Sequence, residues 1–578
     1  MHFDDILAEI GQFGKYQMIL LVWTATPSFF SAFNMLAAIF TGATPQYKCH
    51  HIWENSDLGL SNLTTDLLRN LSLNLDACST FDIGNLQHSG HTVMDLETIS
   101  RNLTKVTCAK WDYATDVFKS TIVTEWDLVC DKHSLNSVGS SIYMLGVLTG
   151  GVLSGVLADK YGRRIIILVC LPLQAVIGLI TAYAPNFYVY VIMRYLMGTI
   201  ILGAAINTFT LATEWIGPKY RMFPAIIKNS MFTFGYMAMA GIAYFIRDWR
   251  NLQIALSMQG ILFISYIWLL PESARWLLAN NRTTEAIELL KKAARRNGKS
   301  LPQTVLQNAA KEQADMGTKK PERNYSMLDL VRTPEMRKRS FVAFYMWFVN
   351  VLVYYGLSLG ISDFGVNIYI TQLIFGFVEI PANLTIAFCL PYSRRIPQMA
   401  FLAVGGVACL LTLVVPEGHP NVVTGLAVAG KFGISASFDM IYLYTAEIFP
   451  TVIRQRGMGA SNMFSRIGGV MAPMINLFRL YSSVAPMIIF GCVSLIGSAL
   501  CILLPETAGQ SLPETIEDAE NWSKRQIRNL KQQEDKVTPF YEDIEQNTDG
   551  TVHLEEKEAP VFDSSPVIST DIIKQTAL

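Results

Sequence analysis

Arg466 stands in the middle of GASNMFSRIGGVMAP (459–473), a stretch otherwise apolar enough to lie in a bilayer. A charge near the centre of a spanning helix costs about 2.5–3.5 kcal/mol on insertion scales, so such a residue is expected to face protein or a wet cavity and to mark a functional site. A guanidinium there offers a carboxylate a planar, two-pronged fork of donors, and it cannot lose its proton to escape burial. Lys431, in AVAGKFGISASFDM, is a second cation inside an apolar run, and Asp439 follows it by eight residues. This is chemistry for holding a charged solute, not for making or breaking bonds. The chain has no phosphate-cradling Gly-Lys-Ser/Thr loop, no nucleophile elbow and no cysteine–histidine pair at metal spacing, and the adjacent His50 and His51 read as solvated. The expectation is a protein that is not an enzyme and uses no cofactor or metal.

The elements that must position these charges are membrane helices. Of 578 residues, 51% are hydrophobic and 16% charged, and the mean hydropathy is +0.30, values that fit a polytopic membrane protein. A net charge of −1 gives no field for nucleic acid. Runs of about 20 apolar residues are long enough to cross a bilayer. Twelve such runs centre near residues 28, 148, 175, 199, 235, 260, 350, 378, 407, 432, 467 and 493. The expected fold is therefore all-α. Residues 1–39 hold the N-terminus and first helix, 40–136 a large loop, and 137–270 the rest of a first six-helix half. A polar loop (271–340) and a second half (341–504) follow. The tail, 505–578, is rich in Glu, Asp, Lys and Ser and is expected to be mostly disordered after a short helix near 513–534. The opening MHFDDILAEIGQFGKYQ lacks the basic-then-apolar pattern of a cleavable signal, so the first helix is expected to act as its own anchor.

Orientation follows from the short loops. With both termini inside, the inner loops hold Lys160, Arg163, Arg164, Lys219, Arg221, Arg394, Arg395, Arg454 and Arg456, against Arg247, Arg250 and Arg479 outside. The large first loop is then extracellular. It clusters three glycosylation sequons, at Asn62, Asn70 and Asn102, with Cys49, Cys78, Cys108 and Cys130. Four cysteines in an oxidising compartment predict two disulfides in any of three pairings. Triplets at Asn281, Asn324 and Asn521 fall on the inner side, so clustering carries this signal.

Three signatures recur in one order at offsets of 231 to 234 residues. DKYGRR (159–164) is echoed weakly by PYSRR (391–395), EWIGPKYR (214–221) by EIFPTVIR (447–454), and LPESARW (270–276) by LPETAGQ (504–510). They describe two related halves with an axis along the membrane normal. Each mixes acids and arginines just inside a helix end. Orientation alone needs arginines but no acids, so Asp159, Arg163, Arg164, Glu214, Arg221, Glu272, Arg275, Arg394, Arg395, Glu447, Arg454 and Glu506 are expected to form interhelical ion pairs that hold an inner gate shut and break as it opens.

GVLADKYGRR (155–164) resembles the loop 2–3 signature of the major facilitator superfamily. Together with the cysteine- and sequon-bearing loop, TEWDLVCDK (124–132) and LPESARWLL (270–278), the chain resembles the organic anion/cation/carnitine transporters of solute carrier family 22 from residue 1 to about 520. YYGLSLGISDFGVNIYITQLIFG (354–376) and GMGASNMFSRIGG (457–469) are similar to its organic-anion branch, the nicotinate/urate-type members most of all. The resemblance implies the twelve-helix major facilitator fold and a secondary transporter. It implies that Arg466 meets a substrate carboxylate in a central cavity and that Lys431 adds positive potential. It also implies that Phe232, Trp347, Tyr354, Tyr355 and Phe438 line that cavity, with Asn34 as a polar contact. Two positions depart from the branch. Asp439 replaces an uncharged residue and is expected to pair with Lys431 or Arg466. Asn383 stands where most of the branch has lysine or arginine, which favours monocarboxylates or zwitterions over dicarboxylates.

Without a nucleotide site, transport must run down a gradient or by exchange. A plasma-membrane carrier of small organic anions is the leading expectation. A carrier of carnitine-like zwitterions or organic cations is the alternative, and a solute receptor that does not translocate is a second. The last residues, Thr576-Ala577-Leu578, place a hydroxyl two residues before a hydrophobic carboxyl end, the pattern PDZ domains take as an added strand. The expected partners are thus a small organic anion, membrane lipid and a PDZ-domain protein.

Overall fold

The computed structural model describes residues 3–50, 77–82, 104–299, 325–361, 366–416, 418–482, 484–510 and 512–521. Twelve long helices run through it: α1 (Lys15–Thr41), α2 (His133–Tyr161), α3 (Arg163–Ala182), α4 (Phe187–Trp215), α5 (Met222–Phe245) and α6 (Trp249–Leu269, interrupted at Met258 and Ser265). The second set is α7 (Pro334–Leu359), α8 (Ile368–Cys389), α9 (Arg395–Leu411), α10 (Pro420–Ile448), α11 (Arg454–Asn476) and α12 (Ala485–Cys501). Eight are long and apolar enough to cross a membrane; α9 and α12 are apolar but only 17 residues each. The arginines and small polar residues of α11 dilute its hydropathy, yet it occupies the eleventh place that the sequence pattern assigns. Exposed Phe245, Trp268 and Phe388 belong to an outer surface that suits lipid rather than water.

Helix starts follow local chemistry. Asn186, Asp248 and Asn367 cap α4, α6 and α8 by accepting backbone N–H groups, and prolines open α7 and α10 where no helical N–H is needed. The turn from α2 to α3 is a single residue, Gly162, at φ 98°, a conformation that strains any side chain. Within the first half α2 packs on α4, α1 on α5 and α3 on both α4 and α6; in the second, α7 packs on α11, α9 on α10 and α12, and α8 on α10. Gly146 and Gly150 let α2 approach the backbone of α4 at Tyr195 and Thr199. The halves meet along α2–α11 and α5–α8.

One end of the bundle, the loop face, carries the large loop; the other, the motif face, carries the repeated signatures. The loop pairs β1 (Tyr47–Cys49) with β4 (Trp111–Tyr113) and β2 (Ser79–Asp82) with β3 (Thr104–Thr107), both antiparallel. Its cysteines are joined as Cys49–Cys108 and Cys78–Cys130. In TEWDLVCDK, Glu125 receives the indole N–H of Trp249 at 2.6 Å and the Arg250 guanidinium, which fixes this segment to the start of α6. The sequon residues Asn62, Asn70 and Asn102 lie outside the described residues, as do Thr576 and Leu578. On the motif face, helices Ala274–Ala279 and Thr283–Arg296 occupy part of the segment expected to be a loop, and α7 begins at Pro334, inside the 271–340 boundary. Of the short helix expected near 513–534, Ile516–Glu520 is helical, and residues 522–534 lie outside the described residues.

Candidate functional site

Arg466 lies midway along α11, partly buried, with Nε shielded from solvent and without a hydrogen-bond partner. Among the described residues no carboxylate pairs with it. Tyr143 of α2, Tyr355 of α7, Tyr442 of α10 and Lys228 of α5 lie within electrostatic range of its guanidinium. Four helices from both halves therefore converge on one unneutralised cation.

Lys431 is different. It is fully buried, and its Nζ lies 3.1 Å from Glu379 Oε1 of α8, donates to Ser358 Oγ at 3.0 Å, and sits 3.1 Å from the centroid of the Tyr354 ring. Glu379 is fully engaged: the Tyr354 hydroxyl donates to Oε1 at 2.7 Å and the Thr233 hydroxyl of α5 to Oε2 at 2.9 Å. The expected contribution of Lys431 to the positive field is thus corrected, because a buried carboxylate cancels it. The expected pairing of Asp439 with Lys431 or Arg466 is corrected as well: its hydrogen-bond partner is Asn229 Nδ2, at 2.5 Å. Lys228, the neighbour of Asn229, donates to the Ala205 carbonyl at 2.8 Å. Counting Arg466 and Lys228 against Asp439, with the Lys431–Glu379 pair neutral, this region keeps a net positive charge.

The aromatic residues form one connected wall. Tyr354 packs edge-on to Tyr355 (5.3 Å between centroids) and against Phe438 (6.0 Å), and Phe438 contacts Tyr442 (5.5 Å). Trp347 sits behind this wall, 4.3 Å from Tyr442, fully buried, its indole N–H donating to Thr445 Oγ1 at 2.9 Å. It supports the lining instead of forming it, which corrects its expected place at the surface of the cavity. Phe232 is half-buried on α5. Asn34 is also behind the surface, 1% exposed, with neither amide atom hydrogen-bonded, while its carbonyl accepts from Arg194 at 3.2 Å. Asn383 is half-buried, four residues beyond Glu379 and so one turn along the same face of α8 toward the motif face.

The motif-face network repeats in both halves. Arg163 bridges to Asp159 (3.1 Å) and Glu214 (3.3 Å), and Arg394 bridges to Glu447 (3.2 Å). Glu272 accepts the backbone N–H groups of Arg163 and Arg164, both at 3.1 Å, and Glu506 those of Arg394 (2.8 Å) and Arg395 (3.1 Å). Each carboxylate thus sits on the positive N-terminal end of α3 or α9. Arg164 and Arg395 donate to the carbonyls of Ile267 and Leu504. Arg221 pairs with Asp4 at 2.6 Å, Arg454 donates to Thr451, and Arg275 is exposed. The expected acid–arginine pairs between helices are present, and each closes within one half, where it holds that half's own helix ends together. Hydrogen bonds between halves run from the loop face to mid-membrane, as in Ser141 to the Val470 carbonyl (2.9 Å) and Thr233 to Glu379, with Asn229–Asp439 about one turn further toward the motif face.

Sequence reasoning passed over Glu379, Lys228, Tyr442 and Arg194. Glu379, Lys228 and Arg194 carried the same signal as Arg466, a lone charge in an apolar run; Tyr442 stands out only once neighbouring helices are in place.

Two six-helix halves, a charged aromatic-walled centre between them and a repeated acid–arginine clasp on one face define a membrane transporter of the major facilitator type. Residues 97–519 match the sugar (and other) transporter family. The fold is similar to the inward-open xylose transporter XylE from E. coli, with a TM-score of 0.56 at 16% identity over 87% of this chain and 99% of that one. Solute carrier family 22 member 13 from Homo sapiens is 37% identical over 523 residues, 90% of this chain and 93% of the relative. Organic anion transporter 3 from Oryctolagus cuniculus is 36% identical, covering 92% and 96%. Organic cation transporter protein from Drosophila melanogaster is 36% identical, covering 91% and 96%. The chain belongs to solute carrier family 22.

Proposed function

We propose that the protein is a plasma-membrane secondary or exchange carrier of small organic anions, working by alternating access. The observation that carries this reading is Arg466: a guanidinium with a buried, unpartnered Nε at the meeting point of four helices, beside an aromatic wall and paired with no carboxylate among the described residues. A planar monocarboxylate of the urate, nicotinate or orotate kind supplies both the missing acceptors and a ring for Tyr354, Tyr355 and Phe438. Glu379 removes Lys431 from the field and Asn383 adds no charge, so dicarboxylates rank lower. The name of the rabbit relative, an organic anion transporter, supports the anion reading. The loop face is extracellular and both termini are cytoplasmic on the charge bias of the short loops. With its halves bonded from the loop face to mid-membrane, the protein is then in an inward-facing state.

Asp439 supports a second reading. An acid close to the same centre suits the cationic end of a carnitine-like zwitterion, and a Drosophila relative is named as an organic cation transporter. Uptake of urate, nicotinate, orotate, dicarboxylates and carnitine by expressing cells separates the two. Carboxylate uptake lost in Arg466→Ala supports the first reading; carnitine uptake lost in Asp439→Asn but not in Arg466→Ala replaces it with the second. A protein that binds solute yet shows no vesicle counterflow is a receptor.

The tail ending Thr576-Ala577-Leu578 is proposed as a ligand for a PDZ domain. Deleting Leu578 lowers surface retention with unchanged transport per surface molecule; equal surface density, with no capture of the tail peptide by PDZ domains, ends this reading.

A further inference from the structure

We infer that Lys228 of α5 is a second anion-binding residue, sharing the solute carboxylate with Arg466 from the opposite half; this rests on the reading of Arg466 as the central substrate cation. The internal repeat gives the relative depth of the two residues. Arg221, just before α5, matches Arg454, at the start of α11, so positions equally far from these arginines lie at similar levels. Arg466 then matches Thr233, and Lys228 lies five residues nearer the motif face, about 8 Å at 1.5 Å per residue. Across that step Lys228 is within electrostatic range of the guanidinium. It is half-buried, and it shares a face of α5 with Phe232, one turn further on.

The ammonium carries a charge that the protein leaves unmatched. Among the described residues its Nζ donates to the Ala205 carbonyl at 2.8 Å and lies 5.0 Å from the centroid of the Phe209 ring. A neutral carbonyl takes one of its three N–H groups and none of its charge. Asp439, the acid near this depth, accepts from Asn229, whose side chain leaves α5 about 100° around the helix from Lys228. Asn383 of α8, one turn from Glu379 toward the motif face, adds no charge here. A strut between α4 and α5 needs one donor and no cation, whereas an ammonium inside the membrane is costly unless it meets a cavity or an anion.

A carboxylate has about four lone-pair sites on its two oxygens. The fork of Arg466 occupies one side and leaves outward lone pairs for Lys228. In the empty protein the two cations, one on each half, repel across the space between α5 and α11. A carboxylate between them replaces that repulsion with two attractions, so an anion, and not an uncharged analogue of the same ring, draws the halves together at this level.

The test is the concentration dependence of labelled nicotinate uptake, per surface molecule, in cells expressing the full chain. Lys228→Met raises KM about tenfold or more, the usual scale for losing a hydrogen bond to a charged group, and Lys228→Arg recovers most of the loss. In Lys228→Cys, a methanethiosulfonate bearing an ammonium lowers KM again and an uncharged one does not, with treated wild type as the baseline. Saturating nicotinate slows both reactions at the introduced thiol. A strut predicts the opposite pattern: Lys228→Met then lowers surface density or Vmax with KM unchanged. That pattern, or a thiol that nicotinate leaves equally reactive, removes Lys228 from the site while the Arg466 reading stands. Normal uptake by Arg466→Ala, or no saturable nicotinate uptake by wild type, instead ends the central reading and this inference with it.

Discussion

Lys431 and Glu379 meet at 3.1 Å inside the second half, from helices α10 and α8. The pair is more than local, since the second oxygen of Glu379 takes the Thr233 hydroxyl from the first half. Removing one partner of a buried pair strands the other charge, at a cost of about 3–5 kcal/mol. Lys431→Met is therefore expected to lower folded yield sharply, and Lys431→Met with Glu379→Gln to recover most of it. Surface biotinylation and thermal melts of the single and double variants check this; equal loss in both would assign the damage to packing instead of charge.

Arg466→Ala is expected to abolish carboxylate uptake while surface density persists, because the site loses its unpaired guanidinium and no other element depends on it. Arg466→Lys restores only part, as ammonium lacks the planar fork. Uptake of labelled nicotinate per surface molecule is the measurement, and normal uptake by the alanine variant would remove the site assignment.

Asn383 shares the Glu379 face of α8, so Asn383→Lys adds a cation one turn toward the motif face. The expected outcome is a shift of selectivity toward dianions over monoanions, read as the ratio of their initial uptake rates. An unchanged ratio means the side chain does not reach the solute.

The two clasp carboxylates differ in their response to pH. Burial pushes Glu272 above the usual carboxyl range, with its backbone donors offsetting only part. For Glu506 burial acts the same way, but the Ser393 hydroxyl and the backbone amides outweigh it and hold the carboxyl below that range. A depressed value contributes stability that is present above the unfolded carboxyl value and lost as pH falls through the depressed one; a raised value contributes stability that is present below the unfolded value and lost as pH rises through the raised one. Between about pH 7 and pH 4, the melting-temperature gap between wild type and Glu506→Gln is expected to narrow. Over the same range wild type gains on Glu272→Gln. Parallel slopes for the two variants would contradict this.

Glycosidase is expected to increase the gel mobility of the mature protein through Asn62, Asn70 and Asn102. No mobility change, with four reactive thiols in the large loop of intact cells, would reverse the proposed topology.

The twelve helices were legible because a bilayer demands about 20 apolar residues per crossing, which leaves little freedom in where a helix lies. Arg466 was legible for the converse reason, as a charge that needs explaining. The partners of Lys431 and Asp439 were not. Glu379 sits 52 residues from Lys431 and Asn229 sits 210 from Asp439, and only the packing of α8 on α10 and of α5 on the second half brings them together. The disulfide pairing was open for the same reason. The repeated motifs announced acid–arginine contacts, but spacing alone did not say that each contact closes within its own half.

The large loop is fastened to one half and leans on the other. Cys78–Cys130 ties it to the residue three before α2, and Glu125 ties it to α6. Tyr369 of α8 donates to the Val117 carbonyl at 3.2 Å and stacks on Phe40. A rocking motion that separates the halves at this face must pull Tyr369 from its seat while the loop travels with α2 and α6. In the proposed topology the seam between Val117 and Tyr369 is thus an external handle on an internal cycle, and an antibody clasping both sides of it would stall the carrier without entering its pore.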